Sequence, residues 1–81
     1  MLYAILHQEG ALLGRVLWRD LKTVQGCVRR ARRAMPNHFA VGESAELRIY
    51  RSEQPGIPLA FFRLTREGDA KIAVKRIFFP C

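Results

Sequence analysis

DLKTVQGCVRRARRAMP, residues 20–36, is the stretch that decides the fold. Leu21, Val24, Val28, Ala31 and Met35 recur at three- and four-residue spacing, which at about 100° per residue makes one apolar stripe on an otherwise polar helix. Asp20 is placed to cap that helix, because its carboxylate can accept from free N–H groups of the first turn. Pro36 is expected to end it, since a proline disfavours helical geometry at the residue before it. Cys27 is expected to be partly buried. The pairs Arg29–Arg30 and Arg32–Arg33 are expected in the last turns, where positive charge complements the helix dipole by a few tenths of about 1 kcal/mol each.

Outward from this helix the pattern changes from a period of about 3.6 to a period of two. Upstream, residues 2–7 read as a strand and Gln8-Glu9-Gly10 as a turn. Residues 11–18 form a second strand, with Leu12, Gly14, Val16 and Trp18 on one face and Leu13, Arg15, Leu17 and Arg19 on the other. Together they predict a hairpin. Downstream, 37–44 reads as a loop and 45–52 as a strand, and Gln54-Pro55-Gly56-Ile57-Pro58 carries strong turn chemistry. A fourth strand follows at 59–66, a tight turn at Gly68-Asp69, and a fifth strand at 71–79 that Pro80 stops. Phe78 and Phe79 fall on opposite faces of that last strand.

The order is ββαβββ. A single amphipathic helix beside five strands implies an α+β two-layer sandwich, the helix packed on a mainly antiparallel five-stranded sheet. Strand orders 2-1-3-4-5 and 2-1-5-4-3 satisfy these patterns equally. Leu47, Ile49, Phe62, Leu64, Ile72 and Val74 are expected to face the helix. The chain of 81 residues reads as a single basic domain, residues 1–81, with no repeat or linker.

Net charge is +7, and eleven of the fourteen cationic residues are arginine. A small cation of this kind attracts nucleic acid, acidic proteins or anionic membranes through its long-range field, and the planar guanidinium fork suits phosphates and carboxylates. The longest apolar runs, residues 2–6 and 59–62, are too short to cross a bilayer. No secretion signal opens the chain, so a cytoplasmic location is expected, with no membrane partner.

Two surfaces qualify as binding faces. One is the solvent side of the helix, with Lys22, Arg29, Arg30 and Arg33 and with Arg32 nearer the core boundary. No acidic residue lies between Leu21 and Ala34, so any partner for these cations must come from elsewhere, with Glu43, Glu46 and Glu53 the candidates within the chain. The other is the sheet face away from the helix, where Arg15, Arg48, Tyr50, Phe61, Arg63 and Lys75 interleave cations with aromatics. That mixture can stack bases and neutralise phosphates. With Leu13, Leu17 and Ile77 beside them, the same face also suits a homodimer, sheet on sheet.

Catalytic chemistry has no candidate set here. Asp20 and Asp69 are explained as cap and turn residues. His7 and His38 are expected at solvent edges. His7, Cys27, His38 and Cys81 match no zinc-finger spacing, and Cys27 and Cys81 form no disulfide framework, both being expected as reduced thiols. The glycines form no phosphate-binding loop. The expectation is a non-catalytic module without metal, cofactor or small-molecule substrate. Its partner is nucleic acid, or an acidic surface of a protein complex that handles nucleic acid. In size and in its lack of motifs the chain resembles the small proteins with which phage and mobile elements block bacterial defence complexes, anti-CRISPR proteins among them. No particular residues carry that resemblance. Many such proteins are acidic DNA mimics, and this chain departs from that pattern by its charge.

Overall fold

In a computed structural model, which describes residues 1–8 and 16–77, six elements follow one another. They are β1 (Leu2–Gln8), β2 (Val16–Leu21), α1 (Val24–His38), β3 (Ser44–Arg51), β4 (Gln54–Arg66) and β5 (Ile72–Ile77). The strands form one antiparallel sheet in the order β2-β1-β3-β4-β5, with α1 on one face. This is the first of the two orders the sequence allowed. The connection through α1 carries the chain across the sheet, so that β3 pairs with β1. The expected turn at Gly10, the first half of the second strand including Arg15, and the tail Phe78–Cys81 lie outside the described residues.

Alternation sorts the strands as expected. Ala4 and Leu6 of β1, Ala45, Leu47 and Ile49 of β3, and Ala60, Phe62 and Leu64 of β4 are buried under the helix together with Cys27, Ala31 and Met35. The buried line of α1 is therefore 27-31-35, a strict four-residue spacing, with Val24, Val28 and Ala34 along its margins. Cys27 is fully buried rather than partly so. Cys27 and Ala31 are small, which lets the helix axis approach the sheet closely.

The helix boundaries differ from the expected ones at both ends. Asp20 is not the cap. The chain remains in β2 as far as Leu21, which pairs with Leu2. Between the pairs Leu2–Leu21 and Ala4–Trp18 one residue of β1 opposes two of β2, and Asp20 takes up the extra length at φ 60°. This is a bulge, and aspartate tolerates the left-handed region it requires. The cap is Thr23, whose Oγ1 accepts from the Gly26 N–H at 2.9 Å. A Cβ on residue 26 would sit 3.1 Å from that oxygen, so glycine there keeps the cap unobstructed. Leu21 consequently belongs to the sheet, and Lys22 lies in the link before the helix rather than on it.

At the other end the helix continues through Pro36 to His38. Pro36 lacks the N–H that would bond the carbonyl four residues back, so the ladder is interrupted in the last turn, but the Phe39 N–H still reaches the Met35 carbonyl at 2.9 Å. Arg66 holds this terminus from β4. Its guanidinium donates to the carbonyls of Phe39 at 2.7 Å and Pro36 at 3.5 Å, its Nε donates to Gly68 O at 3.1 Å, and Asp69 lies 3.9 Å away. A cation bonded to exposed helix carbonyls is favoured by the dipole, and charge-assisted bonds are the stronger kind. Arg66→Ala is expected to lower stability by about 2 kcal/mol, read as a drop in the urea midpoint at unchanged slope. Arg66→Lys should restore less than half, because one ammonium cannot span the same acceptors.

The β3–β4 connection also departs from expectation. The turn is Ser52-Glu53, and the proline-rich segment lies inside β4. Tyr50 pairs with Pro58 and Arg51 with Gln54, so residues 55–57 are looped out of register. Prolines at 55 and 58 donate nothing to a ladder, and the turn chemistry of this segment is expressed as an irregular strand instead of a hairpin loop.

Candidate functional site

The sheet is wider than its helix. Five strands set the outer strand axes about 19 Å apart, whereas one helix is about 10–12 Å across. Helix α1 packs over β1, β2, β3 and β4 and hardly reaches β5. Val74, on the helix side of β5, is accordingly 37% exposed, although the pattern placed it in the core. A groove runs along each side of the helix. The one toward β5, about 530 Å³, is lined by Val24, Gln25, Val28, Arg29, Arg32, Phe62 and Arg76. The one toward β2, about 380 Å³, is lined by Trp18, Arg30, Arg33, Ala34 and Asn37.

These grooves divide the helix cations. Residues three apart on a helix share a side, so Arg29 and Arg32 overlook the β5 groove and Arg30 and Arg33 the β2 groove. The sequence grouped Arg29, Arg30 and Arg33 as one face; the structure makes a ridge with a pair of arginines on each slope. All four are exposed. Among the described residues none of them forms an ion pair or a side-chain hydrogen bond. Two of the three glutamates that the sequence offered as partners are engaged elsewhere. Glu43 accepts from the Ala40 N–H at 2.6 Å and from Gln8 Nε2 at 3.3 Å. Glu46 meets His7 at 3.4 Å and Arg48 at 3.6 Å. Because α1 extends to His38, the arginines stand mid-helix, and the basic residue of the last turn is His38. The dipole, which acts within the terminal turn, does not account for them.

The outer sheet face is arranged in cross-strand rows. Tyr3, Tyr50 and Pro58 form one; Leu17, Ile5, Arg48, Phe61 and Ile77 form the next; His7, Glu46, Arg63 and Lys75 form a third. Its side chains engage one another. Tyr3 and Tyr50 stack with ring centroids 5.1 Å apart and planes 13° from parallel. The Arg48 guanidinium lies 5.3 Å from the Phe61 centroid while facing Glu46. His7 is buried, not at a solvent edge, because Glu46 of the adjacent strand closes over it. The interleaving expected of Arg48, Tyr50, Phe61, Arg63 and Lys75 is present, but much of its aromatic and cationic capacity is spent within the sheet.

Metal-binding side chains do not cluster: among the described residues no group of three or more His, Cys, Asp or Glu comes together. His7 and Cys27 are on opposite faces of the sheet, and Cys81 lies outside the described residues. Burial pushes the Cys27 thiol up, because desolvation disfavours the thiolate. In a Cys81→Ser variant, Cys27 should react with a thiol reagent at pH 8 on the order of 100-fold more slowly than in urea. A folded-state value above the unfolded one means that the contribution of Cys27 to stability is complete below about pH 8.5 and declines as pH rises beyond it. Comparing urea midpoints with those of Cys27→Ala at pH 7 and pH 9.5 checks the sign.

Two features were not legible as site residues in the sequence. Arg76, within the fifth strand, lies 5.7 Å from the centroid of Phe62 and lines the β5 groove. Arg66, which secures the end of the helix, was not legible in that role because its two partners at the helix end are 27 and 30 residues away. No helix is long and apolar enough to cross a membrane among the described residues. Comparison with known proteins finds no matching family model, no matching curated protein and no matching solved structure.

Proposed function

We propose that this chain is a non-catalytic, cytoplasmic binding module that docks the ridge of helix α1 on a polyanionic partner. The observation that carries the reading is the set Arg29, Arg30, Arg32 and Arg33, exposed on a helix without an acidic residue and without ion pairs among the described residues. Like charges three or four positions apart on a helix cost about 0.2–0.5 kcal/mol each. The pairs 29/32, 30/33 and 29/33 are of this kind, and neither the dipole nor a carboxylate offsets them. An anionic partner removes the repulsion and releases its own counterions. Lys22, in the link leading to the helix, adds one more exposed positive charge.

The partner is nucleic acid or an acidic surface of a protein complex that handles it. Small size and the absence of a catalytic constellation support a modulator of such a complex, of the type carried by phage or mobile elements. Titration of labelled single- and double-stranded oligonucleotides and of an acidic polypeptide tests this. Four phosphate contacts should weaken nucleic-acid binding roughly 50- to 150-fold between 50 and 200 mM salt. Absence of binding to every one of these polyanions at 50 mM salt would overturn the proposal.

A second reading is self-association through the outer sheet, favoured by the row Leu17, Ile5, Arg48, Phe61 and Ile77, with Leu17 46% exposed. Light scattering at two protein concentrations separates the readings, since a mass that stays that of one chain removes the dimer.

A further inference from the structure

The two slopes of the ridge are not equivalent. The β2 groove is walled by Trp18 and Asn37 beneath Arg30 and Arg33, whereas the β5 groove has an aliphatic floor of Val24 and Val28 over Phe62, rimmed by Arg29, Arg32 and Arg76. Among the described residues no carboxylate lines it. Val74 is exposed on the same side of β5, and β5 is an edge strand, paired among the described residues with β4 alone.

We propose that this groove receives an extended acidic peptide segment of a partner protein, with one apolar side chain seated on Val24 and Val28 and carboxylates on Arg29 and Arg32. The inference rests on the polyanion reading and specifies the partner for one slope of the ridge. Charge complementarity requires anions around the rim, and the floor requires an apolar group between them. A nucleic-acid strand fits less well. Phe62 is only 8% exposed and has Arg76 over its ring, so it presents no open face on which a base could stack. An aliphatic floor suits a leucine or phenylalanine side chain better than a base edge with polar groups to satisfy. A peptide arriving from the β5 side also meets the outer edge of a strand that pairs, among the described residues, with β4 alone, which favours an extended conformation.

The experiment compares three fluorescent probes on the full chain at 50 mM salt. They are a twelve-residue Asp/Glu peptide with one central Leu, a peptide of equal charge with Ser in place of Leu, and a single-stranded oligonucleotide of similar charge. Burying the Leu side chain should make the first bind roughly 10- to 100-fold tighter than the second. Val28→Asn should abolish that preference while the Ser peptide binds as before, through the arginines. Methyl chemical shifts of Val24, Val28 and Val74 should move on adding the Leu peptide and not the Ser peptide, a readout independent of any variant. Equal affinity for the two peptides, or shifts confined to the β2 side, would overturn the groove proposal and leave the polyanion reading standing. Binding of the oligonucleotide without either peptide would overturn it in favour of nucleic acid. Failure of all three probes would remove both proposals.

Discussion

Leu47→Ala is expected to cost about 3–4 kcal/mol of folding stability, against a total of about 4–12 kcal/mol for a domain of this size. Leu47 lies in β3, the central strand, and is completely buried. It pairs with Leu6 on one side and Phe62 on the other, in a row that continues to Val16 and Arg76. Removing the isopropyl end of its side chain leaves a cavity bounded by strands on both sides and helix above, and a ladder held in register from both edges cannot collapse into it. The cost thus includes the cavity as well as the lost transfer energy. A one-helix core has little in reserve, so the variant should lose most of its cooperative unfolding amplitude at 37 °C. Urea titration followed by tryptophan fluorescence measures it through Trp18, which packs against the same core. A loss below about 1 kcal/mol would mean that the core is looser than described. The same change at Val74, which the pattern also assigned to the core, should cost less than about 1 kcal/mol, because the helix hardly reaches β5.

The second large effect concerns binding. Changing Arg29, Arg30 and Arg33 together to Glu should lower affinity for a polyanion on the order of 1,000-fold at 50 mM salt and reduce the salt slope by about 2–3. Three favourable charges become three unfavourable ones. Arginine and glutamate have similar helix propensities, and all three side chains are exposed, so far-ultraviolet circular dichroism should be unchanged. The control is Arg48→Gln with Lys75→Gln on the outer sheet. It removes two positive charges but leaves the ridge intact, so it should weaken binding less than tenfold, by the general field alone. Inverted results, with the sheet variant failing and the helix variant binding, would transfer the site to the rows containing Arg48, Phe61 and Lys75.

Much of the fold was legible because its signals are local. The period of the apolar residues distinguished the helix from the strands. Alternation assigned Leu47, Ile49, Phe62 and Leu64 to the core, and the absence of acids between residues 21 and 34 marked the helix as a cationic element. The boundaries were not legible where two local preferences compete. Asp20 is a good cap in isolation, but pairing of Leu21 with Leu2 extends the strand past it and leaves the cap to Thr23. The proline-glycine segment at 55–58 is a good turn in isolation, yet the strand resumes through it because the turn closes earlier, at Ser52-Glu53.

The sequence by itself determined the element order, the two-layer class and the cationic character of the helix, since each follows from residues near one another in the chain. Only the tertiary structure decided the strand order, because both orders satisfy the same alternation and differ only in which distant strand β1 accepts. It also decided how the helix arginines are used. Their division into two pairs over two unlike grooves follows from the breadth of a five-stranded sheet relative to one helix, a property of the assembled layers that no window of sequence contains.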